Sequence, residues 1–297
     1  MTFYSALNDK IRENSDFILN DPTQNQFDNF IESKKETIQI YFETLLRTKI
    51  DPEFRKKKKA FREQIGRFEE YTFGISPIDY PVGFCGQITL RGFALFEKSQ
   101  LFIEFKEKGI ILKKVFGKIN DKYFENAIQI GNYYLCIANN ALNPKLPPVT
   151  IKKIEESGFK NIEKIKDTLP IMKAYWNVEI ITNPIAELSF RHPFLMVRNN
   201  WCKLCPNFER LFLNDCLSDF QDSENFLFQK DFFRQLNPQE KNTLKAEVHY
   251  YLDASDEDTN ILHLKEKRKK LLQLRQQMGK DFFDEQTYKN TLCPRQQ

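Results

Sequence analysis

Cys85 lies in the stretch Tyr80-Pro81-Val82-Gly83-Phe84-Cys85-Gly86-Gln87-Ile88-Thr89, where a loop containing Pro and Gly delivers a thiol to the start of an apolar run, Ile88 to Phe96. If that run is a helix, Cys85 stands at its N-terminus. Backbone N–H groups and the helix dipole there favour a thiolate over a thiol. Such a thiolate attacks acyl or amide carbonyls once a histidine acts as base and a carboxylate or amide orients the imidazole. The chain has three histidines, His192, His249 and His263. None adjoins Cys85 in sequence, and nothing around them selects one as the base.

A second group of residues with chemical potential is Trp201-Cys202-Lys203-Leu204-Cys205-Pro206. Three readings compete for it. A strand, then Trp-Cys-x-x-Cys, then a helix resembles a thioredoxin active site, in which the first Cys attacks disulfides; the helical stretch that follows lacks the strands such a fold needs. His192, Cys202, Cys205 and Cys216 could instead supply one nitrogen and three sulfurs to zinc. The third reading is packing: Trp201, Leu204, Phe208, Leu211 and Phe212 make a helical apolar stripe with Cys205 beside it.

The densest basic cluster is Arg55-Lys56-Lys57-Lys58-Lys59 with Arg62 and Arg67, and Lys265, Lys267, Arg268, Lys269 and Lys270 form another. Either could contact phosphates, anionic headgroups or an acidic partner. The simpler reading is a solvated helix face. No Gly-rich phosphate loop or aromatic–basic RNA-binding motif accompanies them. A net charge of +4, from 45 basic and 41 acidic residues, is too balanced to imply nucleic acid.

The elements that must position these groups are largely helical at both ends of the chain. The 297 residues include 28 Phe but only 10 Gly, which favours helix over a turn-rich all-β fold. Apolar residues from Phe27 to Leu45 recur at 3.6-residue spacing, and Asp51-Pro52-Glu53 reads as a new helix start. In the middle, Ile110 to Val115 reads as a strand, and Gly131-Asn132 joins Ala127–Ile130 to Tyr133–Ile137 in a hairpin. A helix is expected from Thr150 and a strand over Tyr175 to Thr182. Asn237-Pro238-Gln239-Glu240 is a capping box, and Ile261 to Met278 is a long helix whose apolar seam is interrupted by Arg268 and Arg275. The acidic stretch Asp253 to Asp258 lacks the pattern of a calcium loop. The expectation is an α+β fold with a small central antiparallel sheet, divided as a helical region 1–73, an α+β core 74–200 and a helical region 201–297.

A Cys at a helix start followed some forty residues later by a hairpin resembles a transglutaminase-like domain of the papain-type fold. The segment Phe124 to Leu135 resembles that family's hairpin, in which a His opens the first strand and an Asp closes the second, and Asn143-Pro144 resembles its chain exit. The resemblance implies a His near Lys122-Tyr123-Phe124 and an Asp near Cys136-Ile137-Ala138-Asn139, where this chain has neither. It therefore implies the fold with a degenerate site. Phe226, Phe228, Phe232, Phe233, Phe282 and Phe283 exceed what thin helices bury, which points to a partner surface.

Together these features lead to the expectation of a protein-interaction or adaptor subunit that binds another protein, needs no cofactor and uses a degenerate core of this kind. A bacterial secretion-system component or effector is a setting that suits it, although no motif marks one. The alternative is a deamidase, protease or transglutaminase with Cys85 as nucleophile. Six sparse cysteines, no apolar segment behind a charged N-terminus and no run of 18 apolar residues point to a cytoplasmic, reducing location.

Overall fold

A computed structural model describes residues 3–13, 17–55, 81, 84–141, 145–186, 189–190, 192–205, 209–218, 220–247 and 261–283. The chain is α+β and forms two compact units, one of Ser15–Ile162 and one that joins Met1–Asn14 to Glu163–Gln297. The division therefore falls at Ile162, inside the stretch that the sequence reads as one core. Among the described residues, no helix is long and apolar enough to cross a membrane.

The first helix, α1 (Phe3–Glu13), belongs to the unit built from the C-terminal half. In the other unit, Asp21 caps a 3₁₀ segment, Pro22–Phe27, by accepting from the Thr23 N–H, and α2 (Asp28–Leu45) follows directly. Asp51-Pro52 does not start a new helix. One π-type turn, Leu46–Ile50, widens the helix so that the Asp51 N–H donates to the Leu46 carbonyl, and helical backbone continues over residues 51–55. The wide turn accommodates Pro52, which has no N–H to donate and whose ring would strike the carbonyl four residues back in a regular α-helix. Next come α3 (Cys85–Phe96) and α4 (Gln100–Glu107), the latter capped by Ser99.

Five antiparallel strands form the sheet of this unit: β1 (Leu112–Ile119), β2 (Tyr123–Ile130), β3 (Tyr133–Cys136), β4 (Thr150–Lys153) and β5 (Phe159–Asn161), in the order β4-β3-β2-β1-β5. The Gly131-Asn132 hairpin forms as the sequence indicates, with Ile130 opposite Tyr133 and Gly131 at φ +55°. A positive φ at the first turn position is what a two-residue hairpin of this kind requires of Gly. The helix expected from Thr150 is instead β4, which pairs with β3 and buries Ile151, followed by the single turn α5 (Ile154–Ser157). Gly158, at φ +73°, stops that turn.

Alternation splits the sheet into two apolar faces. One buries Ile128, Ile130, Tyr133 and Leu135 against Ile31, Ile38 and Phe42 of α2 and Ile88, Phe93 and Phe96 of α3. The other buries Val115, Ala127, Tyr134, Cys136 and Phe159 with Ile18.

The second unit contains α6 (Leu169–Trp176), β6 (Glu179–Thr182), β7 (Phe194–Arg198), β8 (Trp201–Leu204), α7 (Glu209–Leu217), α8 (Gln221–Leu227), α9 (Pro238–Glu247) and α10 (Ile261–Met278). Its three strands form an antiparallel sheet in the order β6-β7-β8. The strand expected over Tyr175 to Thr182 is shorter, because α6 runs to Trp176 and Asn177 takes a left-handed C-cap. The capping box is present in full: the Asn237 side chain accepts from the Gln239 and Glu240 N–H groups, and Glu240 accepts from the Asn237 N–H at 2.9 Å. Arg268 does not interrupt the α10 seam towards solvent. It is fully buried, lies 4.2 Å from the Phe190 ring centroid, donates to Ser189 Oγ and is 3.5 Å from the Glu224 carboxylate.

Candidate functional site

Cys85 is the first residue of α3, as its loop implies. Thr89 Oγ1 donates to the Asn126 carbonyl at 3.0 Å and ties the first turn of α3 to β2. Gly86 lies beside Asn126: a Cβ there would meet Asn126 Nδ2 at 3.4 Å, an ordinary van der Waals contact. Further along the helix, a Cβ on Gly92 would collide with Ile137 Cδ1, so Gly92 lets α3 lie flat on the sheet.

Among the described residues, the side chain that faces the Cys85 sulfur is a carboxamide. Asn126 Nδ2 donates towards Sγ at 3.7 Å. Burial pushes the Cys85 thiol above its ordinary value, and the negative charge of Glu125, the next residue on β2, pushes it the same way. Hydrogen bonds from Asn126 and from the backbone at Gly86 oppose this without reversing it. The helix-terminus argument for a thiolate thus loses to desolvation. All three histidines of the chain fall outside the unit that holds Cys85.

Glu125 belongs to a buried polar cluster on the opposite face of β2. Burial lifts its carboxyl to about 7, and hydrogen bonds with Cys136 and Tyr134 hold it from rising further. Burial and the Glu125 charge also raise the Cys136 thiol, and burial is the main cause of the raised Tyr134 hydroxyl. Among the described residues, Glu125 Oε1 has no hydrogen-bond partner. The arrangement favours three neutral groups, a carboxylic acid, a thiol and a phenol, at neutral to mildly acid pH.

The positions at which the resemblance places a His and an Asp serve other purposes. Phe124 stacks on Phe116, with ring centroids 5.8 Å apart. Asn139 Nδ2 staples the loop before β4 through the Pro147 carbonyl and Thr150 Oγ1. Sequence reasoning passed over Asn126, which contacts the Cys85 sulfur, and Glu125, whose charge acts on it from the opposite face of β2. The available signal was Glu125 and Gln129 at alternate positions of a strand that is otherwise apolar.

Trp201-Cys202-Lys203-Leu204 is strand β8, so neither the helical stripe nor the helix-start geometry of a redox site is present there. Cys202 is buried with Ile181, Leu195 and Val197, whereas Cys216 is buried in a different cluster with Phe212 and Phe220. His192 Nδ1–H donates to the Cys205 carbonyl at 2.8 Å. Among the described residues, no group of three or more His, Cys, Asp and Glu is placed to hold a metal ion. The five described cysteines form no disulfide. Arg55 ends a described helix and is exposed, while Lys56, Lys57, Lys58 and Lys59 lie outside the described residues, as do His249 and the 253–258 stretch. Phe226, Phe228, Phe232 and Phe233 are partly buried and Phe282 is fully buried. Phe232 packs on Phe194 and Lys173, and Phe228 lies under Lys265, so part of this aromatic surface is covered within the chain; Phe283 ends the 3₁₀ segment Gly279–Phe283.

No protein-family model, no curated protein and no solved structure matches this chain.

Proposed function

We propose that the protein is a cytosolic protein-interaction or adaptor component, built on a transglutaminase-like core whose thiol site is degenerate. One observation carries the reading: the group on the Cys85 sulfur is the Asn126 carboxamide, 41 residues further along the chain, which has no basic nitrogen to accept the thiol proton. The order supports the family reading, since a thiol at a helix start packs on the first strand of a hairpin and a side chain of that strand faces it. The protonated thiol supports the non-catalytic part, because the thiolate is the nucleophile. A partner protein then accounts for the chain's role better than turnover of an amide or acyl substrate.

The test compares native co-purification from the source cell for the wild-type chain and Cys85→Ser. The same stoichiometric partner should be recovered with both. Hydrolysis or transfer of an amide or acyl group by the purified protein, abolished by Cys85→Ser, would overturn the proposal.

A further inference from the structure

Residues 17–21 have no regular secondary structure, yet the backbone of Ile18 and Leu19 is fully hydrogen-bonded to the sheet. The Ile18 N–H donates to Asn161 Oδ1 at 2.8 Å, and Asn161 Nδ2 donates back to the Ile18 carbonyl at 3.2 Å. At the next residue, the Leu19 N–H donates to Gln129 Oε1 at 3.0 Å, and Gln129 Nε2 donates to the Leu19 carbonyl at 2.8 Å. Gln129 is completely buried and is fixed by a further bond from Nε2 to the Gly131 carbonyl at 2.9 Å. Two carboxamides on the sheet thus read both backbone groups of two consecutive residues. The Ile18 side chain is read with them and sinks among Val115, Ala127, Tyr134, Cys136 and Phe159. Leu19 points away, 48% exposed. A cleft of about 550 Å³, lined by Asn20, Asp21, Gly158, Phe159 and Lys160 among others, continues from the end of this strap.

We propose that this face of the sheet is a peptide-binding groove that the chain fills with its own residues 17–20, and that its partner in trans is an extended peptide with an aliphatic residue at the Ile18 position. The contacts specify that chemistry. Carboxamide pairing with a peptide unit is blind to sequence, in the way that strand addition to a sheet edge is, and the pocket that holds Ile18 adds selectivity for an aliphatic side chain. The strap occupies the groove at very high effective concentration, so a competing peptide binds only when the strap is released. The inference rests on the protein-binding reading but uses residues apart from Cys85, so its failure leaves the thiol observations as they stand.

The experiment titrates the fluorescein-labelled hexapeptide Asp-Phe-Ile-Leu-Asn-Asp, the sequence of residues 16–21, into the full chain and follows fluorescence anisotropy. Ile18→Asp, which expels the strap, should bind it at least tenfold more tightly than wild type, and adding Gln129→Ala should weaken that binding at least tenfold. Absence of binding by folded Ile18→Asp, or indifference to Gln129→Ala, would overturn the proposal. Should Ile18→Asp not fold, amide exchange of the wild-type chain decides. Exchange at Leu19 through local opening, insensitive to low denaturant while Ala127 follows global unfolding, supports a releasable strap. Exchange at Leu19 only through global unfolding refutes it.

Discussion

Replacing Glu125 with glutamine removes a charge that the folded chain resists while keeping the side chain's shape. Burial carries this carboxyl from an ordinary value of 4.5 to about 7. The native state therefore holds its proton to higher pH than the unfolded chain does. Between pH 4.5 and 7 the native state binds more protons, and stability falls as pH rises through that window. A shift of this size is worth ~3 kcal/mol in full, of which ~2.5 kcal/mol falls between pH 5 and pH 8. Asp215 is also raised by burial, to about 6, but it is common to both proteins and cancels in the comparison. Urea denaturation followed by circular dichroism at pH 5 and pH 8 reads the effect in the transition of the unit that contains Glu125. The stability difference between Glu125→Gln and wild type should move by ~2.5 kcal/mol in favour of the variant on going to pH 8. An equal difference at the two pH values would refute the reasoning, since it would mean that the Glu125 carboxylate ionises with no penalty from burial.

Gly92→Ala places a methyl against Ile137 in a packed core; overpacking of ~1–3 kcal/mol should outweigh a helix-propensity gain of ~1 kcal/mol, and thermal unfolding should show a net loss of stability. Asn126→His puts an imidazole beside Sγ, and alkylation of Cys85 at pH 7, resolved by peptide mass spectrometry, should accelerate at least tenfold over wild type. Asn237→Ala removes the acceptor for two N–H groups at the start of α9 and should cost ~1 kcal/mol in urea denaturation.

The elements that sequence alone made legible are those whose signals are local. The Gly131-Asn132 turn, the Asn237–Glu240 capping box and the Ile261–Met278 helix each follow from neighbouring residues, and each is present. The misreadings are places where tertiary partners decide. Asp51-Pro52 carries a helix-start signature, but the turn before it widens and the helix runs on. Trp201 and Leu204 share a helical spacing, but pairing with β7 makes the segment a strand, in which residues three apart point to opposite faces. Thr150–Lys153 is recruited by β3 in the same way. The position of Cys85 was legible because a loop and an apolar run fix it. Its chemistry was not, because the Asn126 contact and the Glu125 charge act on the thiol only through the packing of α3 on β2.

The central claim is that Cys85 is a protonated thiol held against a carboxamide. Its most direct test is the rate of Cys85 alkylation by iodoacetamide across pH 5 to 11, resolved from the other cysteines by mass spectrometry. The expected profile stays low through neutrality and has its midpoint above 9.0, the ordinary thiol value from which burial and Glu125 raise it. A plateau of fast alkylation with a midpoint near or below ~7 would show an activated thiolate and contradict the account.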